Sequence, residues 1–351
     1  MLTDRVAFQH HIEDFKTMND HSSGRRQVLR AAGGLLAGLA TSSVLPVRAA
    51  EPRKLTRNTD TVRIGWGYGS LPDIAKQRGV FEKTLAEKGI KVEWIGPFPN
   101  HAPSIQAVVG NSADFGFWGS TTPALAAMLA GSPIVFTAFD VYSPRSTAII
   151  TKKSSGINSV ADLAGRKVAV NRSGLGEFLL IAALEKNHID RDKVQFVYLN
   201  PPDAAPAFAQ GKVDAWSMWS PAVDISRFSN DAHDIFNEGR DLEFLIDYSS
   251  LVTRRKFADE NSELVRAVID AYYVEGAWQS AHPVESEQLV QREAKYPDQV
   301  RDYLASLKRV NQFHEPDDAA FIAQLQRAAD WLAERRIINS RIKVADYSVK
   351  V

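Results

Sequence analysis

Hydrophobic and polar positions follow one another in units of strand, turn and helix, and residues 166–186 show this pattern most clearly. Lys167–Val170 predicts a buried strand, and apolar residues then recur at helical spacing from position 178 to 186. Ser173 stands where a helix N-cap is expected. Because a helix N-terminus has unpaired N–H groups and partial positive charge, residues 173–178 form either an anion site beside Arg172 or an ordinary strand-to-helix turn.

The same pattern opens the preceding part of the chain. Thr61–Gly65 alternates as a strand, residues 73–88 have helical spacing, and residues 91–94 predict a second strand. The glycines of residues 65–70 have the wrong spacing for a dinucleotide-binding loop, and Pro72 interrupts the helix start that such a loop needs. The opening is therefore a β-α-β unit without a nucleotide motif.

A second strand-to-helix turn follows the predicted short strand at residues 113–118. Ser120 and Thr121 stand at the start of the next helix, where hydroxyl groups either cap the helix or contact an anion. Residues 134–139 and 146–151 predict further strands, with a loop over residues 140–145 between them.

The alternation continues through the second half of the chain. Residues 194–198 and 213–219 predict strands, residues 201–210 predict a short helix, and Ser220 opens another helix. From residue 263 to 336 the spacing is largely helical. Strands that alternate with helices indicate an α/β fold.

Composition and charge narrow the function classes. The chain has 351 residues, 44% hydrophobic and 24% charged, with 42 Lys and Arg against 42 Asp and Glu. This balance leaves no excess of basic residues of the kind that binds nucleic acid. The absence of cysteine excludes disulfides, thiolate zinc sites and cysteine nucleophiles.

The N-terminal segment has the features of a twin-arginine export signal. Arg25-Arg26 precedes an apolar run over residues 31–40, and Val47 and Ala49 stand at the small-residue positions before a cleavage point. The alternative, a membrane anchor, needs a longer apolar run. We therefore expect residues 1–49 to be removed during export to the periplasm.

Four stretches, in this order, resemble one family: Tyr68-Gly69-Ser70-Leu71 and residues 112–116, 159–167 and 211–216. The chain resembles the aliphatic sulfonate-binding proteins of the nitrate/sulfonate/taurine group of ABC importers. The resemblance implies a type II periplasmic binding protein with two α/β lobes, each a mixed sheet flanked by helices, joined by two crossovers around a ligand cleft. It implies that residues 50–145 and 250–351 form lobe 1 and residues 146–249 form lobe 2.

The resemblance also implies which positions line the cleft, namely Ser70, Ser120, Thr121, Asn171, Ser173 and Trp219. Arg172, Gly174, Glu177 and Ser220 complete the candidate ligand-binding residues, because they adjoin these positions and some depart from the family pattern. The family commonly has an aspartate where Ser220 stands. Without it, an ammonium group lacks a partner unless Glu177 supplies one, so simple alkanesulfonates are expected to bind more tightly than taurine.

The expected function is that of a monomeric receptor that captures a small organosulfonate and delivers it to an ABC permease at the inner membrane. No cofactor or metal is implied. Receptors for nitrate, taurine or a carboxylate, and a pyrimidine-synthase-like or other exported enzyme, remain alternatives. For an enzyme, Glu177 is the one carboxylate suited to acid–base work, although a helix N-terminal role also fits. The scattered histidines are expected on the surface or at caps, and Trp66, Trp118 and Trp219 cover either a ligand tail or the core.

Overall fold

The computed structural model describes residues 55–351, so the predicted signal peptide at residues 1–49 lies outside the described residues. The described part contains eleven strands and thirteen α-helices. No helix within it is both long enough and apolar enough to cross a membrane.

The strands are β1 Thr61–Gly65, β2 Lys91–Ile95, β3 Gly119–Ser120, β4 Ile134–Ser143, β5 Ala148–Lys152, β6 Lys167–Val170, β7 Gln195–Tyr198, β8 Ala215–Met218, β9 Ala232–Asn237, β10 Ser249–Arg254 and β11 Val310–His314. The helices are α1 Leu71–Arg78, α2 Val80–Ala86, α3 His101–Val109, α4 Thr121–Leu129, α5 Leu175–Lys186, α6 Pro201–Ala209, α7 Ala222–Ser229, α8 Glu238–Asp241, α9 Arg255–Glu260, α10 Ser262–Ala281, α11 Pro283–Ala294, α12 Asp298–Ser306 and α13 Ala319–Glu334.

The first lobe is built on β1, β2, β3, β4, β10 and β11. β1 and β2 pair in parallel, while β11, β4, β10 and β3 form an antiparallel sheet in that order. Phe115 joins the two groups through isolated bridges to Ile64 and Thr253. The strand predicted at residues 113–118 is therefore reduced to this single bridging residue.

The second lobe is a five-stranded mixed sheet in the order β7-β6-β8-β5-β9. β6 is parallel to β7 and β8, whereas β5 is antiparallel to β8 and β9. Apolar side chains cover both faces, with Leu179 and Val170 in one core cluster and Phe208 and Trp216 in another. Burial on both faces explains the apolar runs of the inner strands β5 and β6. The edge strand β9 is only partly buried and carries His233 and Asp234.

The chain passes between the two sheets twice, once from β4 to β5 and once from α8 to β10. This is the two-lobed fold of type II periplasmic binding proteins, as the family resemblance implied. The residue numbers at which one lobe gives way to the other remain a prediction.

Three other predicted elements differ from the structure. The helix predicted at residues 73–88 breaks at Gly79, whose φ of 66° is left-handed and closes α1. β4 continues to Ser143, where a loop was expected, because it pairs with β11. β11 also interrupts the region predicted as helical. It was not predicted as a strand because Val310–His314 is polar and partly exposed and lacks a strong strand pattern.

Candidate functional site

A cavity of about 340 Å³ lies between the two lobes. The turns that follow β3 and β6 both reach its wall, as does the segment between β8 and α7. Eight of the ten predicted residues line it: Ser70, Ser120, Asn171, Arg172, Ser173, Gly174, Trp219 and Ser220. Their roles as ligand contacts remain a prediction.

The turn from β6 to α5 is held closed by Asn171. Its Oδ1 accepts the N–H of Gly176 at 3.1 Å. A Cβ at Gly174 would lie 1.6 Å from Asn171 Nδ2, and a Cβ at Gly176 would lie 2.3 Å from the carbonyl oxygen of Ser217. Glycine is therefore required at position 176, and a side chain at position 174 would displace Asn171. Gly174 is the N-cap of α5, so the prediction that Ser173 caps this helix is wrong.

This turn still offers a donor to the cavity. Leu175 lines the cavity, and its backbone N–H has no hydrogen-bond acceptor among residues 55–351. It lies at the first position of α5, where the helix dipole adds partial positive charge.

Glu177 does not line the cavity, which corrects its place among the predicted ligand residues. Its Oε2 accepts the N–H of Ser173 at 2.7 Å, and its Oε1 accepts from Arg191 and from the Tyr198 hydroxyl, each at 2.8 Å. Ser173 has a left-handed φ of 53°. Glu177 therefore stabilises the unfavourable left-handed conformation of Ser173 from outside the cavity, and it does not face a ligand.

Thr121 also lies off the cavity wall. Its Oγ1 donates to Asp247 Oδ1 at 2.7 Å, and its N–H donates to the carbonyl oxygen of Tyr248. Asp247 accepts the N–H of Thr122 as well. An internal carboxylate thus occupies the start of α4, where the sequence predicted an anion-receptive turn.

The hydroxyl groups on the wall are not equivalent. Ser70 caps α1 by accepting the N–H of Asp73 at 3.4 Å, and it donates to the carbonyl oxygen of Gly67 at 2.6 Å. Ser120 Oγ and Ser146 Oγ are buried and have no hydrogen-bond partner in the described part of the chain. These two hydroxyls are free to donate to a ligand.

Three arginines line the cavity, namely Arg145, Arg172 and Arg309, against one acidic residue, Asp247. Arg172 is exposed at the wall and stacks on Tyr198, with its Cζ 3.8 Å from the ring centroid. Arg145 pairs with the buried Glu238 at 3.0 Å. Glu238 and Glu287, outside the lining, offset the charges of Arg145 and Arg309. Among the described residues, Arg172 is the lining arginine that has no carboxylate partner, and its charge favours an anion.

Sequence reasoning missed several of these residues. Arg309 directly precedes β11, which the hydrophobic pattern did not reveal, and Arg145 and Asp247 lie in connecting segments. His101 was expected at the surface or at a cap, but it is buried in the wall. Burial lowers the pKa of His101 to about 4, so its ring is neutral and donates through Nδ1 to the carbonyl oxygen of Ser120.

Aromatic side chains form the apolar part of the wall, and they include Phe98, Phe117, Trp118 and Trp219. Trp66 does not line the cavity. Among residues 55–351, no cluster of three or more His, Cys, Asp or Glu side chains could hold a metal ion.

One relative and three solved structures are informative. A protein of Escherichia coli (strain K12) named as an aliphatic sulfonates-binding protein is 28% identical over 321 residues, spanning 91% of this chain and 95% of its own length. The periplasmic aliphatic sulphonate binding protein SsuA from Escherichia coli superposes with a TM-score of 0.73 at 24% identity, over 84% of this chain and 94% of its own.

The alkanesulfonate-binding protein SsuA from Xanthomonas axonopodis pv. citri, bound to MOPS, gives a TM-score of 0.75 at 24% identity, over 84% of this chain and 99% of that one. The desulfurization enzyme DSZB has the same fold, with a TM-score of 0.62 at 16% identity over 83% of this chain and 97% of that one. The family model described as NMT1/THI5 like matches residues 74–286, more than half of the sequence. The chain belongs to the NMT1/THI5-like family.

Proposed function

We propose that the protein is the solute-binding receptor of an ABC importer and that it captures a small aliphatic sulfonate in the cleft between its lobes. The observation that carries this proposal is the cavity wall. It combines cationic and hydroxyl donors with aromatic side chains and is shared by both lobes. Such a wall suits a ligand with an anionic head and an apolar tail.

The donors match the chemistry of a sulfonate. Its three oxygens share one negative charge and need several hydrogen-bond donors when water is removed. Ser120 Oγ, Ser146 Oγ and the N–H of Leu175 have no acceptor among the described residues. Trp219 and Phe117 offer apolar surface for the alkyl group.

Reversible binding is favoured over turnover. Glu177, the carboxylate considered for acid–base work, is engaged behind the turn by Ser173, Arg191 and Tyr198. The chain has no cysteine and therefore no thiol nucleophile. Because a desulfurization enzyme shares this fold, an enzymatic role is the second candidate function. An assay for a reaction product distinguishes an enzyme from a receptor.

The cellular setting follows from the same proposal. The predicted twin-arginine signal would export a folded receptor to the periplasm, the compartment named for the related Escherichia coli protein. There it would act as a monomer and deliver its ligand to a permease in the inner membrane. Lobe 1 would comprise residues 50–145 and 250–351, and lobe 2 residues 146–249.

A thermal-shift screen of the mature chain tests the proposal. Ethanesulfonate, butanesulfonate, taurine, sulfate, nitrate and acetate are compared at equal ionic strength. A ligand present at a hundred times its Kd stabilises the native state by about 2.7 kcal/mol, so the alkanesulfonates should raise the melting temperature most. A larger shift with nitrate or acetate would assign the receptor to that anion, and no shift with any sulfonate would refute the proposal.

A further inference from the structure

Arg309 is a cavity arginine with a buried side-chain nitrogen that has no hydrogen-bond partner among the described residues. Its side chain is only 8% exposed. A guanidinium has five N–H donors, and Arg309 uses two of them: Nη2 donates to Glu287 Oε1 at 3.0 Å and Nη1 to Ser220 Oγ at 3.3 Å. Its Nε is buried and has no partner in the described part of the chain. A buried charged donor without an acceptor is costly unless a ligand supplies one.

The other two arginines on the wall differ from Arg309. Arg145 directs Nε and Nη2 to Glu238 and also donates to the carbonyl oxygen of Asp247 at 2.8 Å. Arg172 is exposed and stacked on Tyr198, so water already solvates its charge. Of these three arginines, Arg309 is the one with a buried side-chain nitrogen, Nε, that has no hydrogen-bond partner among the described residues.

The surroundings of Arg309 fix its orientation. The ring of Tyr142 lies 4.7 Å from its Cζ. Burial raises the pKa of Tyr142 to about 12, so this neighbour adds no negative charge at neutral pH. Glu287 is itself held by the Tyr296 hydroxyl, which donates to its Oε2 at 3.0 Å. The guanidinium is thus preorganised, as a binding residue should be.

Arg309 also lies where the lobes meet. Arg309 and Glu287 belong to elements beside the first sheet, whereas Ser220 follows β8 of the second sheet. The bond from Arg309 to Ser220 therefore crosses the cleft. An anion that contacts Arg309 together with Ser220 would bridge the two lobes.

We propose that Arg309 binds the anionic group of the ligand and determines its charge specificity, with Tyr142 as a positioning residue and Glu287 as the carboxylate that moderates its charge. This inference rests on the proposed function. The ligand oxygens complete the donor set that Glu287 and Ser220 leave unfilled. Glu287 also offsets part of the guanidinium charge, so its neutralisation should strengthen anion binding.

Titration calorimetry with ethanesulfonate tests the inference in four variants. Arg309→Gln should weaken binding by about a hundredfold and Arg309→Lys by about tenfold, since a charged hydrogen bond is worth roughly 1.5–3 kcal/mol. Glu287→Gln, nearly isosteric, should tighten binding by about threefold to tenfold. Glu275→Gln is the matched control: it removes a buried carboxylate that pairs with Arg78 away from the cavity, and affinity should not change.

Loss of folding in the Arg309 variants leaves Glu287→Gln to decide the question. Tighter binding supports the proposal, because a purely structural role predicts unchanged or weaker binding. Unchanged or weaker binding in folded Glu287→Gln, or wild-type affinity in a folded Arg309 variant, would overturn it. If wild type binds no sulfonate in this titration, the proposed function fails and this inference with it.

Discussion

Glu177→Gln separates a positioning role for this residue from a ligand contact. The amide has nearly the same shape but a single acceptor oxygen, and it lacks the charge. If that oxygen serves Arg191 and Tyr198, the N–H of Ser173 faces an amide donor and loses its 2.7 Å hydrogen bond. The hydrogen bond that stabilises the left-handed φ of 53° at Ser173 is then absent.

The size of the effect follows from these contacts. Hydrogen bonds to charged groups contribute roughly 1.5–3 kcal/mol and neutral ones roughly 0.5–1.5 kcal/mol. The side chain of Arg191 is half exposed, so solvent screens its charge and reduces the contribution of its ion pair with Glu177. We expect the free energy of unfolding to fall by about 2 kcal/mol. Relaxation of the turn should weaken ligand binding by about tenfold, the equivalent of ~1.4 kcal/mol.

Urea denaturation measures the stability, and calorimetry measures the affinities for ethanesulfonate and taurine. Because Glu177 lies off the cavity wall, both affinities should fall by the same factor. Glu185→Gln on the same helix is the control, since its carboxylate is exposed and pairs with Arg335 at the surface. A loss for taurine alone would show that Glu177 contacts the ammonium group and would refute the positioning role.

Replacing Gly176 by alanine should lower stability by about 2–3 kcal/mol in urea denaturation, because its Cβ would meet the carbonyl oxygen of Ser217 at 2.3 Å; an unchanged midpoint contradicts this. Burial raises the pKa of Asp140 to about 8 from 3.8, so its stabilising contribution is complete below pH ~4 and is lost as the pH rises toward 8. Asp140→Asn should therefore exceed wild type in stability at pH 8 and vary less between pH 5 and 8, and equal pH slopes in denaturation would refute this. Arg25→Lys combined with Arg26→Lys should retain the protein in the cytoplasm on fractionation, and mature protein in the periplasm would contradict the twin-arginine signal.

The local pattern of apolar and polar residues was sufficient to predict the elements that have a strong hydrophobic periodicity. β1 alternates, β6 has an apolar run over residues 168–170, and both strands occupy the predicted positions. β11 was missed because its strand character comes from pairing with β4, which lies far away in the sequence. The break at Gly79 was missed because an isolated glycine within a helical pattern does not always end the helix.

The candidate site was predictable only in part, for the same reason. Ser173 lies in a recognisable strand-to-helix turn, so its placement at the cavity follows from the local sequence, whereas Asn171 was predicted there from the family resemblance. Glu177 belongs to the same turn, but which way it faces depends on Arg191 and Tyr198, which lie outside it. Arg309 reaches the wall only through tertiary folding, and no motif around it indicates this.

Calorimetry of the mature wild-type protein with ethanesulfonate, followed by quantification of the recovered ligand and of free sulfite, tests the central claim most directly. A receptor predicts saturable one-to-one binding and complete recovery of intact ethanesulfonate after dialysis. The absence of saturable binding for ethanesulfonate and longer alkanesulfonates, or the release of sulfite during incubation, would contradict the account.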